Sequence, residues 1–214
     1  MVDKVSLART KLFPTTIYSF NSFLTPDQHE QMLDFIKDEL KVNYTNVRTN
    51  EEIKFGLYQG KDDLHLQSCF KPLAEFVLLL SENIFKEEGY ETHKLEITQM
   101  WANKQVDGSV HPPHTHSNNI HSGVYYLKAT DKTSGTQFFD PRAQAKVLVP
   151  RRATHNIQNS SMYQIHSVTG EGVIFPAWLQ HWVPSNTDER VTISWNILIR
   201  GEYGEPKTLQ NASI

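Results

Sequence analysis

A chain of 214 residues, 38% hydrophobic and 21% charged, has the make-up of an ordinary globular protein and the length of one domain, or of one domain with an extension. No apolar run approaches the roughly 20 residues of a membrane helix, and Met1-Val2-Asp3-Lys4 lacks the apolar core of a signal peptide, so the expectation is a cytoplasmic protein away from membranes. The formal net charge of −3 argues against an electrostatic grip on nucleic acid, and the single cysteine, Cys69, excludes an intrachain disulfide and reads as a small, semi-buried residue.

In chain order, Lys11 to Phe20 is rich in aromatic and β-branched residues and reads as a strand, with Pro14 favouring an edge position. Thr25-Pro26-Asp27-Gln28 reads as a helix start. Thr25 takes the N-cap, Pro26 the first helical position, and Gln28 closes a capping box. Met32, Leu33, Ile36 and Leu40 continue at helical spacing. Residues 43–63 are polar and read as loop. A second helix is predicted by Phe70, Leu73, Val77, Leu80 and Ile84, which form one apolar stripe and end at a C-cap glycine, Gly89. Both stripes are expected to cover one face of a sheet.

From residue 94 the chain turns to short strands with turn punctuation. The candidates are 94–103, 123–127, 136–139, 145–149, 164–169, 173–175 and 191–198. Helices first and strands afterwards predicts a mainly β sandwich or barrel with a helical buttress. The chain is thus expected to be one domain over 1–214, with a strand and buttressing helices in 10–90 and a β core in 94–200. The polar tail after Gly201 reads as loose.

Seven of the ten histidines lie between His111 and His181, and imidazole is the commonest side-chain ligand for iron, zinc and copper. In His111-Pro112-Pro113-His114-Thr115-His116, the last two histidines share a face if the segment is extended. A third ligand is expected from His181, which follows a turn inside an apolar run. A lone histidine there can equally be a satisfied core residue. Arg190 opens Arg190-Val191-Thr192-Ile193-Ser194-Trp195-Asn196, where alternation puts Arg190, Thr192, Ser194 and Asn196 on one face. An arginine on a buried strand needs a partner. The planar fork suits a bidentate carboxylate from a ligand, or an ion pair with a nearby Asp or Glu.

These residues, taken with Leu12-Phe13-Pro14-Thr15, Trp101-Ala102-Asn103, Ser122-Gly123-Val124-Tyr125-Tyr126-Leu127 and the Phe175 to His181 segment, resemble the Fe(II)/2-oxoglutarate-dependent oxygenases. Within them the likeness is closest to a group of uncharacterised bacterial and phage members. It covers about residues 10–200 and admits a phage-encoded protein acting in a host cytoplasm. The resemblance implies a double-stranded β-helix, or jelly roll, with Fe(II) at its open end. It implies that 2-oxoglutarate and O2 are consumed, that 2-oxoglutarate is split to succinate and CO2, and that a substrate C–H bond is usually hydroxylated. It makes His114, His116 and His181 iron ligands, gives Arg190 the distal carboxylate of 2-oxoglutarate, and places Thr192, Tyr126 and Asn103 around that cosubstrate. His116 stands where the wider family has Asp or Glu, with His111, His121 and Asp140 in reserve.

A second resemblance is to cupins, through the spacing of Gly108, His114, His116 and His121 and of Gly170, Pro176 and His181. It implies the same fold and a metal dioxygenase or isomerase that needs no 2-oxoglutarate, and therefore no carboxylate clamp at Arg190. A jelly-roll binding or structural module without catalysis is the remaining reading. Arg151 to Thr169 interrupts the strands and reads as a surface loop or a substrate-bordering insertion, and Trp178 and Trp182 read as packing residues.

Overall fold

The computed structural model describes residues 8–21, 24–42, 57–92, 94–142, 145 and 147–214. In chain order the elements are β1 (Tyr18–Asn21), α1 (Pro26–Val42), β2 (Leu57–Gln59), α2 (Lys71–Glu87), β3 (Lys94–Gln105), β4 (His111–His114), β5 (His121–Lys128), β6 (Thr136–Phe139), β7 (Met162–Ile165), β8 (Glu171–Pro176), β9 (His181–Val183), β10 (Arg190–Arg200), β11 (Glu202–Tyr203) and β12 (Ala212–Ser213).

Both helices begin and end as local chemistry dictates. At α1 the Thr25 backbone N–H donates to Gln28 Oε1 (2.9 Å), and the Gln28 N–H donates to Thr25 Oγ1 (3.3 Å), the reciprocal bonds of a capping box. At the end of α2, Gly89 takes a φ of +81°, Tyr90 N–H bonds to Phe85 O and Gly89 N–H bonds to Lys86 O. The Phe85 and Tyr90 rings meet edge to face, so the turn is a Schellman cap with its apolar contact.

The strands form two facing sheets. A six-stranded sheet runs β1-β8-β5-β10-β3-β2, and a four-stranded sheet runs β4-β9-β6-β7. Every pairing within them is antiparallel. Alternation along the strands of the larger sheet separates two cores. Tyr125 and Leu127 of β5 and Val191, Ile193, Trp195, Ile197 and Ile199 of β10 pack with Met32, Ile36, Leu73, Val77 and Phe85 of the helices. Val124, Tyr126, Val173 and Phe175 meet Phe138 and Leu179 between the sheets. The result is a jelly roll buttressed on one face by α1 and α2.

Four expectations change. The N-terminal strand shrinks to β1, since Leu12 and Phe13 are exposed and find no partner strand. Of 43–63, residues 43–56 lie outside the described residues, while Leu57–Gln59 adds an edge strand to β3. The described part of 145–149 is no strand. Val147 and Leu148 are 80% and 86% exposed, so the apolar residues there have no sheet to pack on. The tail folds back as a β11–β12 hairpin closed by paired bonds between Gly201 and Ile214.

Candidate active site

The inner face of the jelly roll gathers three histidines. His114 ends β4 and lies opposite His181, the first residue of β9, with ring centroids 4.3 Å apart. His116 follows two residues later, held by its backbone N–H to Ala177 O (2.9 Å). One ligand atom from each of the three lies within 4.8 Å of the others.

The same nitrogen of each ring is committed elsewhere. Nδ1 of His114 donates to Pro112 O (2.8 Å), that of His181 to Leu179 O (2.9 Å), and that of His116 to Asn196 Oδ1 (2.6 Å). These acceptors fix the tautomer and leave Nε2 as the free lone pair of each imidazole. Burial lowers the pKa of all three, that of His181 to about 3, with neighbouring His114 adding to the shift. The rings are therefore neutral near pH 7, the form that ligates a metal. Phe175 and Phe138 stand 4.7 and 5.8 Å from the His181 ring, and Trp101 5.7 Å from that of His116, an aromatic shell that limits water.

The reserve ligands lie elsewhere. His121 has the opposite phase on β5: it stacks on Phe85 at 4.5 Å and meets Glu88 on the helix side. Asp140 is held bidentate by Arg142. His111 stacks on His114 at 4.2 Å but stands outside the three-histidine cluster. His155 and His166 are exposed.

Arg190, 2% exposed, lies at the start of β10 on the same inner face. Its Nη1 donates to Gln105 Oε1 (2.6 Å) and its Nη2 to Thr136 Oγ1 (3.4 Å), while its Cζ lies 5.1 Å from the Tyr126 ring centre. The Tyr126 and Thr136 hydroxyls are 3.0 Å apart. Burial pulls the guanidinium pKa down, opposed by Tyr126. The ion-pair alternative fails among the described residues. The neighbouring acids are engaged, Asp188 by Thr130 and Glu189 by Lys104 and Lys128, and Arg190 Nε has no partner. A buried guanidinium without a carboxylate is costly, so the pocket is suited to an incoming anion.

The two centres are close. On β6, Phe138 lies opposite His181, and Thr136, two residues back on the same face, reaches Arg190. Two residues of strand span about 7 Å, within reach of a five-carbon diacid. Thr192 is buried beside Tyr126 and Asn103 in the register, and Asn103 donates to Ser194 Oγ (2.9 Å) while accepting from Gln59 and Trp101. Gln105, Thr136 and Asn196 were not singled out as site residues from sequence. Their only signal is the inward phase of their strands. Trp178 is 57% exposed on the β8–β9 turn and does not pack as expected, because the turn bonded from Leu179 N–H to Pro176 O carries it outward. Trp182 does pack, against Phe139, and donates to Gln137.

Residues 99–196 match the family model described as "Putative 2OG-Fe(II) oxygenase". This segment is a 2OG-Fe(II) oxygenase domain. No curated protein matches the sequence. Among solved structures the chain is similar to a Pseudomonas putida prolyl-4-hydroxylase, at 11% identity over 85% of this chain and 92% of that one, TM-score 0.60. It is also similar to a Trichoplax adhaerens prolyl hydroxylase in complex with a hypoxia inducible factor peptide, at 14% identity, 84% and 82% coverage and TM-score 0.60. A third is HygX from Streptomyces hygroscopicus with nickel and 2-oxoglutarate bound, at 10% identity, 86% and 82% coverage and TM-score 0.58. At these identities the likeness speaks for the fold, which is the jelly roll described above. No helix of the described residues is long and apolar enough to cross a membrane.

Proposed function

We propose that the oxygenase hydroxylates a C–H bond of its substrate with Fe(II) held by His114, His116 and His181 through Nε2, and with the distal carboxylate of 2-oxoglutarate held by Arg190. In this reading residues 10–90 buttress a catalytic core at 94–200. The observation that carries it is the pairing of two features: three neutral imidazoles with one free nitrogen each, and a buried guanidinium with no carboxylate of its own, bonded to Thr136 two residues along β6 from the Phe138 that lies opposite His181. Three imidazoles also suit zinc, so it is the arginine that speaks for an anionic cosubstrate. Three protein ligands leave three positions at an octahedral metal. Having no carboxylate among the ligands leaves the site one unit more positive, which favours a dianion.

Iron(II) with 2-oxoglutarate, when bound, supplies the oxidation: O2 is consumed, the diacid becomes succinate and CO2, and the substrate C–H becomes C–OH. The chain's own part is positional. Pro112 O, Leu179 O and Asn196 Oδ1 hold each imidazole by Nδ1–H and keep Nε2 unprotonated. Thr136 and Gln105 aim the guanidinium, and Tyr126 packs against it. Thr192 and Asn103 line the same inner face. Phe138 and Phe175 keep bulk water from the rings.

Anaerobic addition of Fe(II) and 2-oxoglutarate tests the reading. A visible charge-transfer band is expected for the native protein and is expected to vanish in Arg190→Met. His181→Ala should bind no iron, while His116→Asp, which restores the carboxylate of the wider family, should retain the band. Iron binding without a band would favour the cupin-like dioxygenase, and no iron binding would leave a structural module.

A further inference from the structure

The partners of the Arg190 guanidinium are all neutral, and the nearest of them is an amide. Gln105 sits at the end of β3 directly opposite Arg190 in the β10 register, is fully buried, and accepts from Nη1 at 2.6 Å. We propose that Gln105 is a positioning and charge-setting residue of the cosubstrate pocket. It orients the guanidinium without neutralising it and offers its own amide N–H to the distal carboxylate of a dicarboxylate ligand. This rests on the reading of Arg190 given above.

Two observations support it. The amide orientation follows from its partner, because a guanidinium only donates, so the oxygen of Gln105 must face Nη1 and the NH2 must face elsewhere. That nitrogen, Nε2, is buried without a hydrogen-bond partner, as is Arg190 Nε. Buried donors are nearly always satisfied, so two orphaned donors on two touching side chains mark a place for an acceptor. A carboxylate has two oxygens with about four lone-pair sites, enough to accept from the Gln105 amide and from the guanidinium. A glutamate at position 105 would satisfy the guanidinium internally and remove the demand for a ligand. A glutamine of the same shape keeps the charge available.

The test uses the Mn(II)-loaded protein without turnover and follows ligand binding by calorimetry. The ligands are 2-oxoglutarate and oxalate, a chelating diacid too short to reach from the metal to Arg190. Gln105→Glu is expected to weaken 2-oxoglutarate about 100-fold while oxalate stays within about 2-fold, since a buried carboxylate would occupy the guanidinium. The metal-free variant should melt at or above the native temperature, because the new pair is satisfied. Gln105→Leu removes the hydrogen bond to the charged group and should weaken 2-oxoglutarate by about 10- to 100-fold, again sparing oxalate. Native affinity for 2-oxoglutarate in both variants, or equal loss for both ligands, overturns the role of Gln105. If the native protein binds oxalate but not 2-oxoglutarate, the Arg190 reading falls with it.

Discussion

Asn196 is the residue on which the proposed role of His116 as a ligand in place of a carboxylate turns. Its Oδ1 accepts from His116 Nδ1 at 2.6 Å and from Ser122 Oγ at 2.7 Å, and its Nδ2 donates to Gln99 Oε1 at 3.1 Å. Three strands are thereby tied to one imidazole. The other two rings are anchored by backbone carbonyls, which no substitution removes, so His116 is the candidate ligand whose orientation can be uncoupled by a single side-chain change. Asn196→Ala frees the ring to rotate and to change tautomer. The expected result is a loss of about 10- to 100-fold in metal affinity with the fold intact, read by competition with a chromophoric chelator and by circular dichroism. Asn196→Asp keeps an acceptor at the same place and should restore native affinity. If Asn196→Ala binds metal as tightly as the native protein, His116 is not a ligand held by this bond.

Elements differ in how openly the sequence declares them. Helix α1 is legible because its capping box lies within four residues, and α2 because an apolar stripe and a left-handed glycine bracket it. The phase of β10 is legible too, since alternation alone puts Arg190 and Asn196 on one face and Trp195 on the other. Segment 145–149 misleads because apolar content does not supply a partner strand, and β2 hides because its pairing to β3 is long-range. In the site, the histidine pairing across β4 and β9 was within reach of motif spacing. Gln105 and Thr136 were not, since an amide and a hydroxyl on a strand carry no chemistry of their own until the register sets them against Arg190. The same long-range logic governs Gly123 of β5, which lies opposite Trp195 in the register. A Cβ there would stand 2.2 Å from the indole ring, in a core where Trp195 is fully buried beneath the helices. Gly123→Ala must displace the indole, so the expected cost is about 1–3 kcal/mol of stability, measured by urea unfolding. A neutral result would mean that the β5–β10 pairing is looser than its register implies.

At the scale of the molecule, the fold buries imidazoles on both sides of its larger sheet, and this couples its stability to pH. His181 lies between the sheets and His121 lies under α2. Burial lowers their pKa values to about 3 and about 4, against an ordinary value of 6.5. For each ring the unfolded chain binds a proton before the folded one does, so stability rises with pH across the interval between the two values. The contribution is fully present above about pH 6.5 and is lost as the pH falls toward the folded value. At pH 5 each ring has given up about 2 kcal/mol, on 1.36 kcal/mol per unit. Glu88, which faces His121 at 3.3 Å, works the other way: burial raises its pKa above 4.5, so it favours the fold as the pH drops toward that value. The histidine effect is therefore cleanest just below the ordinary histidine value, at about pH 5.5 to 6.5, the end of the interval farthest from the ordinary carboxylate range. Urea unfolding of the metal-free protein across that window should show a steady loss of stability toward acid. His121→Gln, which removes a titrating ring far from the candidate ligands, should reduce the slope by one ring's share, the remainder belonging to His181 and the other buried imidazoles His111, His114 and His116. An unchanged slope in that variant would show that His121 is not held neutral by the packing of α2 on the sheet.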